Sequence, residues 1–168
     1  MPAWGDFQSV ARIEVGSEDH DSGDGRGHYA ATARAVHTEL NVLKKDFSLA
    51  ADRLVVGGYS QGAASALQSV LEYPEPLAGC IALSGWLLPS AAKALSAGSF
   101  NGHGSRYYLF HGQRDMQVHF NCSVHAAKQL TEAGARVRFA KSQTGHAPGP
   151  QMLQALSAFL DQAMLPAG

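Results

Sequence analysis

Apolar residues recur at steps of three and four through Tyr29, Ala33, Val36, Leu40, Leu43 and Phe47. That spacing predicts an amphipathic helix with this stripe turned inward and with His37 and Glu39 facing water. After a turn over 48–52, the run Leu54-Val55-Val56 predicts a strand over 53–57. Next come a Gly-rich turn and a helix over 61–72, rich in Ala and Ser and closed by Pro74 and Pro76. The run 78–84 is nearly all apolar, as in a strand covered on both faces. An apolar loop over 85–89, a short helix over 91–97 and a Gly-rich loop over 98–105 follow. Residues 106–111 form the next expected strand, and 112–115 a turn.

Phe120, Val124, Ala127 and Leu130 mark a helix stopped by Gly134. Charged and apolar residues alternate over 136–140, the pattern of an edge strand. A loop carrying Gly145-His146 precedes a last helix with Met152, Leu153, Leu156, Phe159, Leu160 and Ala163 on one face. Residues 1–27 fit neither period and read as irregular. Strands alternating with helices imply an α/β fold: a mostly parallel sheet of about four strands with flanking helices, in one domain over 1–168.

Composition narrows the function classes. The 168 residues carry 45% hydrophobic and 16% charged positions, the balance of a globular chain. A formal net charge of −1 without a basic stripe argues against a nucleic-acid partner. No apolar run is long enough to insert stably in a membrane. Two cysteines, Cys80 and Cys122, make no disulfide framework, and the N-terminus has no signal-peptide pattern; together they point to the cytoplasm. The acidic stretch from Asp19 to Asp24 fails as an EF-hand, because Asp24 stands where glycine is needed and no glutamate closes the loop. His119 and His125 are not at a single-face helical spacing and no His-Glu-x-x-His pattern occurs, so neither a metal nor another cofactor is expected.

The chemistry centres on Gly58-Tyr59-Ser60-Gln61-Gly62. This is a G-x-S-x-G nucleophile elbow in its required setting of strand, sharp turn and helix. The turn exposes the Ser60 hydroxyl and aims the Gln61 backbone N–H at the same point, as an oxyanion donor. A serine hydroxyl needs a base, and the base needs an acid to hold it. Asp115 and His146 occupy loops after later strands, in the chain order used by α/β-hydrolases. His111 and His119 are rival bases; His111 ends a strand and is expected to stabilise that strand end.

Four motifs together resemble the acyl-protein thioesterases, in the lysophospholipase/carboxylesterase branch of the α/β-hydrolases. They are the elbow, Leu83-Ser84-Gly85-Trp86-Leu87, the run from His111 to Val118, and Gly145-His146. The opening Met1-Pro2-Ala3-Trp4-Gly5-Asp6 is similar to an internal segment of that family. The resemblance implies a Ser60, Asp115 and His146 triad that cleaves acyl thioesters or esters, on S-acylated proteins or lipid and ester substrates. It also implies that Trp86 and Leu87 line the acyl-binding region, with a core position the alternative for Trp86. Ala63 and His119 depart from the family pattern, and Leu88 lengthens its loop. The resemblance further implies strands and a His-Gly-x-Gly-type loop ahead of Met1, the loop supplying a second oxyanion donor. This chain therefore reads as N-terminally truncated, with one edge of the elbow strand bare and self-association through that edge expected. A second reading follows from the same feature: a catalytically impaired relative acting as a binding or regulatory module.

Overall fold

The computed structural model describes residues 12–15, 28–147 and 149–164. The Asp19–Asp24 stretch and the opening Met-Pro-Ala-Trp segment lie outside them. Among the described residues, four parallel strands form one sheet in the order β1-β2-β3-β4. They are β1 (Val55–Tyr59), β2 (Gly79–Leu83), β3 (Arg106–Gly112) and β4 (Arg136–Ser142). The register runs Val56 to Cys80, Cys80 to Tyr107 and Tyr107 to Val137. Among the described residues five helices accompany the strands: α1 (His28–Asp46), α2 (Gln61–Glu72), α3 (Pro89–Ser96), α4 (Phe120–Glu132) and α5 (Pro150–Met164).

The alternation of strand side chains splits the core in two. On one face Val56, Cys80, Ala82, Tyr107 and Leu109 pack with the buried faces of α1 to α4. On the other, Ile81, Tyr108 and Phe110 meet Met152 and Phe159 of α5, and the Tyr108 and Phe159 rings stack at 5.2 Å. The small residues of α2 let it lie close to the sheet: Ala63 and Ala64 are fully buried, Ala66 nearly so. β2 and β3 are buried along nearly all their length, as interior parallel strands require. β4 alternates toward one edge as expected. β1 forms the other edge among the described residues, with no partner beyond it.

Four local expectations change. β1 begins two residues later than expected, because Ala51–Arg53 close a short 3-10 turn, and it runs on through both glycines to Tyr59. The α1 stripe is buried from Tyr29 to Leu40 and no further; Leu43 and Phe47 are exposed, since the helix ends at Asp46 and projects past α2. Val124 and Leu153 likewise face outward. His37 does not face water: it is half-buried, with Nε2 2.8 Å from the Ser69 carbonyl and its ring edge-on to Tyr73.

The segment read as irregular also holds structure. Ile13 pairs with Val118 as an isolated parallel bridge. Its N–H donates to Gln117 O at 2.9 Å, and its carbonyl accepts from His119 N at 2.8 Å. The Arg12 guanidinium donates to the backbone carbonyl of Asp115 at 3.1 Å. Residues 12–15 thus clip onto the loop after β3.

Candidate active site

The carboxyl ends of the four strands open into one cluster of loops, where parallel sheets place their sites. Ser60 follows β1, Ser84 and Gly85 follow β2, Asp115 follows β3 and His146 follows β4. Ser60 has φ 56° and ψ −122°, a conformation that non-glycine residues rarely occupy. The surroundings hold it there. Its N–H donates to Leu83 O at 2.8 Å, which extends the β1–β2 ladder, and its carbonyl accepts from Ala63 N at 3.0 Å.

The two glycines of the elbow are not equivalent. A Cβ on Gly58 would lie 2.0 Å from Gly62 O, so the strand can approach the helix only without a side chain there. A Cβ on Gly62 would meet nothing within 4 Å. Gly85 packs as tightly, with its Cβ position 2.4 Å from Ala63 Cβ. Ala63, where the family pattern has glycine, fits because Gly85 makes room for it.

The three expected residues come together. His146 Nε2 lies 3.0 Å from Ser60 Oγ, and His146 Nδ1 lies 2.7 Å from Asp115 Oδ2. The Asp115 side chain is fully buried, and its other oxygen accepts from Gln117 N at 2.8 Å and Val118 N at 2.9 Å. Burial alone would push the Asp115 pKa up. The bonds from His146 and from the Val118 and Gln117 amides outweigh it and hold the carboxyl below its usual range.

The His146 loop is held by contacts that the sequence did not signal. The Tyr59 and Ser84 hydroxyls donate to the His146 carbonyl at 3.1 and 3.2 Å. The Tyr59 ring lies 4.9 Å from the imidazole. Arg114 N donates to Thr144 O at 3.0 Å, which ties the histidine loop to the acid loop. A Cβ on Gly112 would lie 2.1 Å from Gly145 O, so this glycine permits their close approach. Only the position of Tyr59 beside Ser60, and of Ser84 at a strand end, could have pointed to these roles.

The rival bases lie elsewhere. His119 caps α4, its Nδ1 accepting from Asn121 N at 3.1 Å. His111 is fully buried behind Asp115. Gln61 is the first residue of α2, so its backbone N–H lies at the positive end of that helix. Trp86 is buried in the larger core cluster, with the partly buried Leu87 packed against the same cluster. Cys80 and Cys122 are buried free thiols; burial pushes the Cys122 thiol up to about 11 and Cys80 further still, which makes both poor nucleophiles. Among the described residues, no group of three or more His, Cys, Asp or Glu could hold a metal ion. No helix among them is long and apolar enough to cross a membrane.

Known proteins share this arrangement of elements. The acyl-protein thioesterase 1 of Neurospora crassa is 30% identical over 167 residues, covering 98% of this chain and 66% of that protein. The acyl-protein thioesterase 1 homolog 1 of Dictyostelium discoideum is 28% identical, covering 98% of this chain and 69% of its own length. The chain thus spans about two thirds of the curated relatives it matches. The crystal structure of Arabidopsis thaliana SOBER1 superposes with a TM-score of 0.82 at 25% identity, over 97% of this chain and 74% of that one. Residues 1–164 match the sequence profile described as Phospholipase/Carboxylesterase. Fold, motif order and profile agree over nearly the whole chain, and the protein belongs to the phospholipase/carboxylesterase family of α/β-hydrolases.

Proposed function

We propose that this chain is a serine hydrolase that cleaves acyl thioesters or esters, of the acyl-protein thioesterase, lysophospholipase or carboxylesterase type. The observation that carries this reading is the continuous run of hydrogen bonds from Ser60 Oγ through His146 to Asp115. In this reading His146 Nε2 takes the Ser60 proton as Oγ attacks the acyl carbonyl. Asp115 holds the Nδ1–H tautomer and stabilises the cation that forms. His146 then returns the proton to the leaving thiol or alcohol, and water releases the acid from the acyl-enzyme by the same route. The Gln61 N–H supplies one oxyanion donor, and Leu87 with Trp86 beneath it forms the apolar wall for the acyl chain. The mechanism uses no cofactor. S-acylated proteins are the favoured substrates, since two of the most similar relatives are thioesterases of that name. The pair of free thiols suits a reducing cytoplasmic setting.

A second reading has its own observation. Among the described residues β1 is an edge strand, and a groove of about 330 Å³ runs beside it, lined by Val36, Val56, Gly57, Gly58 and Tyr59. A binding module that pairs this edge with a partner or a second copy would use that surface.

One experiment separates the readings. The purified chain is treated with a fluorophosphonate and assayed on an acyl thioester and a p-nitrophenyl ester, with Ser60→Ala as control. A single adduct on Ser60, and turnover that Ser60→Ala abolishes, are the expected results. A folded chain with neither adduct nor turnover would sink the hydrolase reading.

A further inference from the structure

His111 has an environment that a strand-end histidine does not need. It is the seventh-last residue before Val118, at the end of β3, and its side chain is fully buried. Nε2 lies 2.9 Å from Val118 O and 3.1 Å from Asp115 Oδ2, the same carboxylate oxygen that His146 uses. Both neighbours are acceptors only, so Nε2 must carry a proton. Nδ1 lies 2.6 Å from Ser123 Oγ of α4, and that hydroxyl lies 2.9 Å from Gly85 O. Ser123 has one proton and can serve one of the two. Desolvation holds the His111 pKa below its ordinary value, so the ring is neutral at neutral pH, Nδ1 is bare and Ser123 donates to it.

We propose that His111 is a positioning residue of the triad: its Nε2–H donates to Asp115 Oδ2 and limits how strongly that oxygen holds the proton on His146. The inference rests on the hydrolase reading above. Asp115 accepts from the amides of Gln117 and Val118 at one oxygen and from His146 at the other, and His111 Nε2 lies 3.1 Å from that second oxygen and 2.9 Å from Val118 O, so its one proton is shared between them. A donor shared with His146 makes the oxygen less basic. The ion pair formed when His146 takes the Ser60 proton is weakened by this competing donor. Among the described residues, the other groups facing this pair are few. Tyr59 lies against the His146 ring and Ser60 Oγ against its Nε2. Phe120 lies edge-on to His111, and Lys141, its register partner on β4, is exposed. Arg12 reaches the Asp115 carbonyl, and Cys122 lies behind the same loop. None of these donates to Oδ2.

Two measurements test it. In the parent chain, long-range ¹H–¹⁵N spectra of the imidazoles should show His111 protonated at Nε2 and bare at Nδ1. The opposite tautomer would overturn the proposal, and this readout does not depend on turnover. The second compares His111→Asn with His111→Gln. Asn places its amide at the Nδ1 position and keeps Ser123 but not Asp115; Gln reaches the Nε2 position and keeps Asp115. The acid limb of kcat/KM on an activated ester should move up by about one pH unit in His111→Asn and stay in place in His111→Gln. If both variants lose rate and thermal stability with the limb unmoved, His111 serves packing alone and the proposal fails. If the parent chain neither turns over nor takes a fluorophosphonate, the hydrolase reading fails, while the tautomer still decides whether His111 Nε2 carries the proton that the proposal needs.

Discussion

Ser60 and Asp115 each sit just past the carboxyl end of a strand, yet they are held by different means. β1 lies at the sheet edge and β3 in its interior. On the elbow side the position of Ser60 comes from backbone shape: a left-handed φ of 56°, a ladder bond to Leu83 O and a close approach that only Gly58 permits. On the acid side it comes from polar bonds in a buried setting. Asp115 accepts from two amides and from His146, the Arg12 and Ile13 segment clips the loop from outside, and Gly112 lets the histidine loop close onto it. Sterics therefore set where the Ser60 hydroxyl points. Hydrogen bonding and charge set how the His146 imidazole is held beside it.

The largest break in this contrast is chemical. Asp115→Asn keeps the size of the side chain but puts an amide where His146 Nδ1–H needs an acceptor, so the imidazole is driven to the wrong tautomer. A loss of about 10⁴ in kcat is expected, on the order of 5 kcal/mol in the barrier. Steady-state kinetics on an activated ester checks it, with a fluorophosphonate titration of Ser60 to count sites. A loss below about tenfold would mean that the base is oriented by the Tyr59 and Ser84 hydroxyls on its own carbonyl instead.

The elbow side breaks through folding. Gly58→Ala places a methyl 2.0 Å from Gly62 O, against helix backbone that cannot move away cheaply. A destabilisation of about 3 kcal/mol or more is expected. Gly62→Ala meets open space inside the first turn of α2 and should be neutral or stabilising by about 0.5–1 kcal/mol. Urea midpoints of the two variants give the comparison directly. Equal destabilisation by both would show that the elbow needs glycine for flexibility, not for clearance.

The same division explains what was legible in the chain. Period and punctuation are local signals, and they placed all four strands, the elbow and the parallel α/β order. The loops carrying Ser60, Asp115 and His146 followed from strand ends alone. The elbow pattern carries two glycines, and only Gly58 is sterically required. What stayed hidden depends on partners far away in sequence. Arg12 reaches Asp115 across 103 positions, Tyr59 reaches the His146 carbonyl across 87 and Ser84 across 62. No periodicity encodes such pairs. His111 was read as bracing a strand end because its burial against Asp115 exists only once β3 is flanked on both sides. Phe47 was placed on the buried stripe because a helical period does not say where the neighbouring helix stops.

The smallest expected effect is in acid, and it belongs to one side only. Burial lowers the His111 pKa from its ordinary 6.5, with its bonds to Val118 and Asp115 only partly offsetting this. The unfolded chain therefore takes up this proton first as pH falls below 6.5, and stability declines from there. Asp115 behaves differently. Burial raises its pKa, but the His146 bond and the two amides outweigh it and leave the folded value below 3.8. Its contribution is fully present above 3.8 and is lost as pH falls through the lower folded value. The elbow contributes only Tyr59, whose pKa burial raises above 10.0, so it adds nothing in acid. Urea midpoints between about pH 8 and pH 3 should then show two separate declines. His111→Gln should remove the upper one and Asp115→Asn the lower, each read as a difference from the parent so that the other histidines cancel. A parent curve that His111→Gln leaves unchanged above pH 5 would mean the buried ring titrates alike in both states, and the acid side would then be held by geometry as the elbow is.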